Sequence, residues 1–272
     1  LVAAGTYVES INITGATANC NLLIASNFIN HPDSISIINN TIIKNLSTIN
    51  IHTSRVTFHG LTISADESFQ GDEGFEVYDG TEWYDACVIG ASLELNYCII
   101  KDYIFNSVST NQPDFIASYY THIKLSYVAF INNFAAHQGT TTGNITNFLP
   151  LTYAYEPEYS NLTFTNNTGG RIENYGDPST DILNSIIYGN NNTMIQIGPT
   201  SQIMYSNIQG GWEGEGNIDL DPLFCNPDSG DYSLAENSPC VGTGENGANM
   251  GAFGVGCGPY NFSPTEFSLS AP

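Results

Sequence analysis

The chain has 272 residues, enough to bury a large core in one elongated domain or in two ordinary ones. Five Lys plus Arg against 27 Asp plus Glu leave a formal charge of -22, which repels phosphate backbones and anionic lipid and argues against a nucleic-acid partner. No apolar run approaches the ~18 residues of a membrane span, and the charge suits solubility in salty or extracellular surroundings.

The opening LVAAGTYVESINI lacks a Met and reads as a strand entered part-way, which predicts a leader and a first structural turn upstream. Short Ile, Val, Leu, Phe and Tyr runs separated by Asn, Gly, Ser and Thr then recur, whereas runs of helical period are scarce. Ile11 and Ile13 are followed by Ile35 and Ile37, and these by Leu61 and Ile63. A fuller pattern has two alternating apolar positions, two polar or small residues, and two alternating apolar positions again. It fits Val56, Phe58, Leu61 and Ile63; Leu93, Leu95, Cys98 and Ile100; and Ile123, Leu125, Val128 and Phe130. Weaker copies follow at Tyr159, Leu162 and Phe164, at Leu183, Ile186 and Tyr188, and at Ile203, Tyr205 and Ile208.

Aligned on Leu61, Cys98, Val128, Leu162, Ile186 and Ile208, the copies lie 37, 30, 34, 24 and 22 residues apart. Such spacing predicts coils of ~20 to 25 residues, some carrying inserted loops. Two places before the anchor stand His59, Asn96, Ser126, Ser160, Asn184 and Ser206; four places after it stand Asp102, Asn132, Asn166 and Asn190. Columns of small polar residues at bends fit stacked coils, where identical amides hydrogen-bond from one coil to the next. The expected fold is all-β, a single-stranded right-handed parallel β-helix (solenoid) with its coils over residues 1–216.

The segment NIDLDPLFCNPDSGDYSLAENSPC opens a capping region of the same domain, residues 217–258, with Leu223, Phe224, Tyr232 and Leu234 expected over the last apolar layer. Cys225 and Cys240 bracket its turn-rich loop and are predicted to form a disulfide, a closure of about 3 kcal/mol in the chain-entropy model. Cys98 occupies an apolar position and is expected to be a buried thiol. Residues 259–272 are rich in Pro and Ser and read as a linker.

With these features the chain resembles the right-handed parallel β-helix family, the pectin-lyase-like fold: AGTYVESINI resembles a first coil, and the capping segment continued by GENGANMGAFG resembles the family's closing segment. That architecture hosts lyases, hydrolases, epimerases, adhesins and structural proteins, so the likeness carries fold far better than function. The tail NFSPTEFSLSAP resembles the stretch just upstream of the sorting domain of type IX secretion substrates in Bacteroidetes-like bacteria, which implies export and then release or anchoring at the cell surface.

The resemblance also implies where chemistry would sit, and the chain departs from it there. Family lyases use a Lys or Arg base, often with calcium. Here the basic residues are Lys44, Arg55, Lys101, Lys124 and Arg171. Lys124, between Ile123 and Leu125, is predicted to point outward, and Lys101 falls in a different column. The Gly-His-Gly and Arg-Ile-Lys motifs of polygalacturonase-like hydrolases are met only by His59-Gly60 and Arg171-Ile172-Glu173, which break the pattern at required positions.

The most distinctive insertion, between Ile63 and Leu93, carries eight acids and no Lys or Arg. It reads either as a solvated acidic loop or as a hard-cation site for calcium, with Asp72, Glu73 and Asp79 the candidate ligands. Tyr78, Trp83 and Tyr84 in the same insertion, and Trp212 in GGWEGEG, are candidate platforms for sugar rings or anchors of their loops. The expected role is a secreted or cell-surface bacterial module for polysaccharide binding, adhesion or extracellular structure. The alternatives are a polysaccharide lyase or glycoside hydrolase of the same fold, and a filament subunit self-associating through an open N-terminal coil.

Overall fold

Alternation of β-branched and aromatic residues with polar ones makes segments that bury one face and expose the other. In this protein such segments lie side by side, each parallel to the one before it. The computed structural model describes residues 1–14, 21–30, 35–52, 55–78, 92–105, 115–119, 121–135, 158–174, 181–191 and 193–261. Among them fifteen strands form one large sheet whose pairings are all parallel. The described chain is all-β apart from a helix at Ile35–Asn40 and short 3-10 turns.

Two inward columns run through this sheet without a break. One is Ile24, Phe58, Leu95, Leu125, Tyr159, Ile182 and Ile203. The other is Ile43, Ile63, Ile100, Phe130, Phe164, Ile187 and Ile208. Neighbouring members are one strand spacing apart, ~4.8 Å, and all but Ile24 are buried in the largest apolar cluster. Each such side chain contributes about 1.5–3 kcal/mol by leaving water. At the N-terminal edge, the strands Gly5–Glu9 and Asn21–Ala25 have partners on one side only among the described residues, and Val8, Leu22 and Leu23 are exposed there.

Between the two columns the chain bends at one residue of left-handed conformation per pass: Gly60, Tyr97, Tyr127, Asn161, Asn184 and Tyr205. A Cβ on Gly60 would stand 2.6 Å from the Cβ of Phe28, so both backbone and space demand glycine. Tyr97 and Tyr127 hold the same conformation with rings stacked at 4.4 Å and 3°. A second bend stacks Asp102, Asn132, Asn166, Gly189 and Gly210, again with positive φ. Just inside it runs a buried amide ladder, in which Asn133 Nδ2 donates to Asn167 Oδ1 at 3.1 Å and Asn167 Nδ2 to Asn190 Oδ1 at 3.0 Å.

The repeat alignment holds for Leu61, Cys98, Val128 and Leu162 and slips afterwards. The residue in register with Leu162 is Ser185, not Ile186, and the next is Ser206, not Ile208. Leu162 N donates to Ser185 Oγ (3.1 Å), Ser185 N to Ser206 Oγ (3.0 Å) and Ser206 N to Asn217 Oδ1 (3.0 Å). A hydroxyl has replaced the apolar anchor, so a search for apolar residues slides along the chain. Likewise Asn190 is level with Asn167 and Asn133, and Asn166 with Asn132.

Two further expectations are corrected. Ile35 and Ile37 belong to the helix Ile35–Asn40, and the strand is Thr41–His52, whose alternation is masked by Asn45. Asn45 is fully buried and its Nδ2 donates to the Tyr103 hydroxyl. The acidic stretch after Ile63 is not wholly insertion, because the strand Thr62–Tyr78 runs on through it and buries Phe75 and Val77. Register shifts against Thr41–His52 absorb its extra residues.

Phe224, Tyr232 and Leu234 do not lie over the last apolar layer. Tyr232, Ala252 and Phe253 pack on the outward-facing Ile99, Ala129 and Ile131, alongside Phe28 and Ile38; Leu234 packs with Ile186, Cys240 and Met250. The closing segment therefore lines a side wall. Ala252 N donates to Thr163 Oγ1 (2.9 Å) and Asn161 Nδ2 to Asn249 O (2.9 Å), tying it along the first bend.

The disulfide joins Cys225 to Cys257, not to Cys240. Phe224–Asn226 and Asp231–Ala235 form a hairpin and Val255–Cys257 adds beside it, which brings Cys257 to Cys225. Cys240 turns inward as a free thiol that accepts from Asn207 Nδ2 at 3.1 Å. Cys98 is a free buried thiol, as expected, and burial pushes it up to about 11. Replacing Cys225 and Cys257 together by Ser should lower stability in denaturant titration by about 2–4 kcal/mol. Non-reducing peptide mapping should return the 225–257 pair, with Cys240 alkylated only after unfolding.

Candidate functional site

Where the last strands end, the GGWEGEG stretch folds back over Ile203–Tyr205. Tyr205 N donates to Glu215 O at 2.7 Å, and the Tyr205 hydroxyl to Glu215 Oε1 at 2.5 Å. Asn217 fastens the stretch from within: its Nδ2 donates to Ile203 O (2.8 Å) and to Trp212 O (3.3 Å). Gly214 fits because a Cβ there would collide with the backbone oxygen of Ile203 at 2.2 Å and with Asn217 Nδ2 at 2.5 Å. Trp212 is thus held on a pinned loop. Its indole is half-buried against the main apolar cluster.

Beside the indole opens a concavity of about 680 Å³, lined by Ile197, Ser201, Gln202, Ile203, Trp212 and Glu213 together with glycines. Ile197 and Ile203 supply apolar lining, while Gln202 and Glu213 are exposed. Gln202 is set by its backbone, whose N donates to Asp181 Oδ1 (2.8 Å) and whose O accepts from Ile182 N (2.9 Å). Ser201 is 6% exposed, and its Oγ has no hydrogen-bond partner among the described residues. A buried hydroxyl left in that state costs about 1–3 kcal/mol. An aromatic face, an amide, a carboxylate and a hydroxyl in one recess can hold a polyhydroxylated ring: the apolar face of the sugar lies on the indole and its hydroxyls find donors and acceptors around it.

Of the residues picked from sequence, only Trp212 lies at this recess. Tyr78 ends the strand Thr62–Tyr78, five strand spacings away along the stack, ~24 Å. Asp72 and Glu73 lie within that same strand, and Asp79, Trp83 and Tyr84 fall outside the described residues. Among the described residues no group of three or more His, Cys, Asp or Glu is placed to hold a metal ion. Ser201, Gln202 and Glu213 escaped sequence reading. The one available signal was their closeness to the glycine-dense loop and to the Pro199-Thr200 turn.

A second polar cluster lies on the outward face of the sheet, where Thr57, Glu94, Lys124 and Glu158 are in register. Lys124 Nζ is 2.8 Å from Glu158 Oε2, and Thr57 Oγ1 donates to Glu94 Oε2 at 3.3 Å. Lys124 points outward between the buried Ile123 and Leu125, as alternation predicts. The hydrogen bond to Glu158, with the charges of Glu158 and Glu94, holds its ammonium above its ordinary value against the opposing effect of desolvation. A lysine kept protonated in this way suits ion pairing better than proton abstraction. Lys101 stands in another column and pairs with Asp102 at 3.7 Å.

No family model matches the chain, and a search of the curated proteins likewise finds no match.

Proposed function

We propose that the stacked parallel ladders wind as a right-handed parallel β-helix of the pectin-lyase-like kind, and that the protein is a secreted or cell-surface bacterial module that binds polysaccharide. The observation that carries the reading is Trp212, pinned by Asn217 at the mouth of a recess bearing Ser201, Gln202 and Glu213. The Cys225–Cys257 disulfide fits an oxidising, extracellular compartment. The tail resembling type IX secretion substrates supports export to the outer surface.

Binding to an immobilised panel of bacterial and plant glycans, measured for the full chain and for Trp212→Ala, tests the proposal. At least one glycan should be retained, and the variant should lose its affinity tenfold or more, because aromatic stacking contributes most of the contact area. Retention of the glycan by a folded Trp212→Ala chain, or failure of every glycan to bind the parent chain, defeats the reading.

A further inference from the structure

Resting on the polysaccharide reading above, we infer that the Trp212 recess takes an uncharged sugar unit, hydrogen-bonded by Ser201, and turns away uronic acids. The first ground is Ser201. The residue is part of the lining of the recess, and its hydroxyl, closed off from solvent, has no hydrogen-bond partner among the described residues. Ser201 N donates to Gly198 O at 3.2 Å, so the backbone is set by its turn while the hydroxyl is bound to nothing among the described residues. A ligand hydroxyl reaching Oγ at this edge of the recess would satisfy it. A group left unpaired in the free protein and paired in the complex favours binding selectively.

The second ground is charge. Glu213 is exposed at the rim, and no Lys or Arg is among the described residues that line the recess. Among the described residues two further carboxylates are already engaged, Glu215 by the Tyr205 hydroxyl and Asp181 by Gln202 N. The protein as a whole carries a formal charge of -22. A neutral pyranose can donate its hydroxyls to Glu213 and to the Gln202 carbonyl oxygen, and its apolar face can rest on Trp212. A uronate brings a second negative charge to a site with no cation to receive it, and like-charge contact is an effective means of rejection.

The experiment is titration calorimetry on the full chain with four neutral hexasaccharides (of β-1,4-glucose, β-1,3-glucose, α-1,4-glucose and β-1,4-mannose) and with tetragalacturonate, repeated on Ser201→Ala and Glu213→Gln. The expected result is binding of at least one neutral hexasaccharide and none of tetragalacturonate. Ser201→Ala should weaken the neutral ligand about tenfold while the melting temperature of the unliganded protein stays level or rises, because an unsatisfied hydroxyl has been removed. That opposite movement separates a binding hydroxyl from a structural one. Glu213→Gln should let tetragalacturonate become measurable. Tetragalacturonate binding the parent chain as tightly as a neutral hexasaccharide overturns the inference and leaves the polysaccharide reading standing, as does a neutral ligand indifferent to Ser201→Ala. Absence of binding to all five oligosaccharides, together with silence on the glycan panel, overturns both.

Discussion

Asn167→Ala is expected to cost about 3–5 kcal/mol in unfolding free energy, among the largest effects of any single polar substitution in this protein. The side chain is fully buried and uses all of its hydrogen-bonding capacity. Its Nδ2 donates to Phe130 O (2.9 Å) and Asn190 Oδ1 (3.0 Å), and its Oδ1 accepts from Asn133 N (3.0 Å) and Asn133 Nδ2 (3.1 Å). Truncation strands groups on two neighbouring passes of the chain where water cannot replace the amide. The exposed neighbour is the control. Asn166 donates to Asn132 at the surface and holds a left-handed conformation, so Asn166→Ala should cost only about 1 kcal/mol and Asn166→Gly less. Denaturant midpoints for the three variants check this; equal costs at 166 and 167 would remove the amide ladder from the account of stability.

Asn167→Asp sharpens the same test through pH. Burial without a cation raises the folded-state pKa of the introduced carboxyl above its unfolded value of ~3.9. The charged form is the one the fold rejects, so the added penalty stands in full above the raised pKa. It shrinks as pH falls through that value and is gone below ~3.9, where both states are protonated. Relative to the parent chain, the variant should therefore recover on acidification.

How much of this was legible beforehand depends on what each position buries. The inward columns through Phe58, Leu95 and Leu125 and through Ile63, Ile100 and Phe130 follow from period-two alternation, since one face meets only apolar neighbours. Alternation failed wherever a polar side chain points inward with a partner: Asn45 on Tyr103 hid the strand Thr41–His52, and Ser185 and Ser206 displaced the alignment. Helix Ile35–Asn40 was missed because six residues, less than two turns, are too few to show a helical period; Ile38 seals against the outer wall, a tertiary contact that no local window contains. The disulfide was missed for a related reason. Cys240 is closer to Cys225 along the chain, yet Cys257 arrives beside it by strand addition.

The recess was half legible. Trp212 stands out as one of two tryptophans, but Ser201 becomes interesting only once its hydroxyl is seen to be both buried and unpartnered. Asn217 is an undistinguished loop residue until its amide is found bridging Ile203 and Trp212. Satisfaction of hydrogen bonds is a property of three dimensions, and Ser201 is marked out by lacking it.

Phe130→Ala should be the most damaging apolar truncation in the interior, at about 3–5 kcal/mol. Its ring stacks on Phe164 at 4.8 Å and 5°, and meets the edge of Phe115 at 5.6 Å and 87°. The three belong to different passes of the chain, so removing the middle ring opens a cavity that neither neighbour can fill without leaving its own column. A double-mutant cycle with Phe164→Ala should return about 0.5–1.5 kcal/mol of coupling beyond the separate losses. If successive passes touch only their neighbours, as the proposed β-helix requires, the damage stays local. Trp212 is set by Ile203, Tyr205 and Asn217, none of which touches Phe130 in the ladder order. Phe130→Ala, held at a temperature where it remains folded, should therefore bind glycan as the parent chain does while unfolding at a lower denaturant concentration. Loss of both together would mean that the last pass depends on the whole stack, and the nearest-neighbour description would fail.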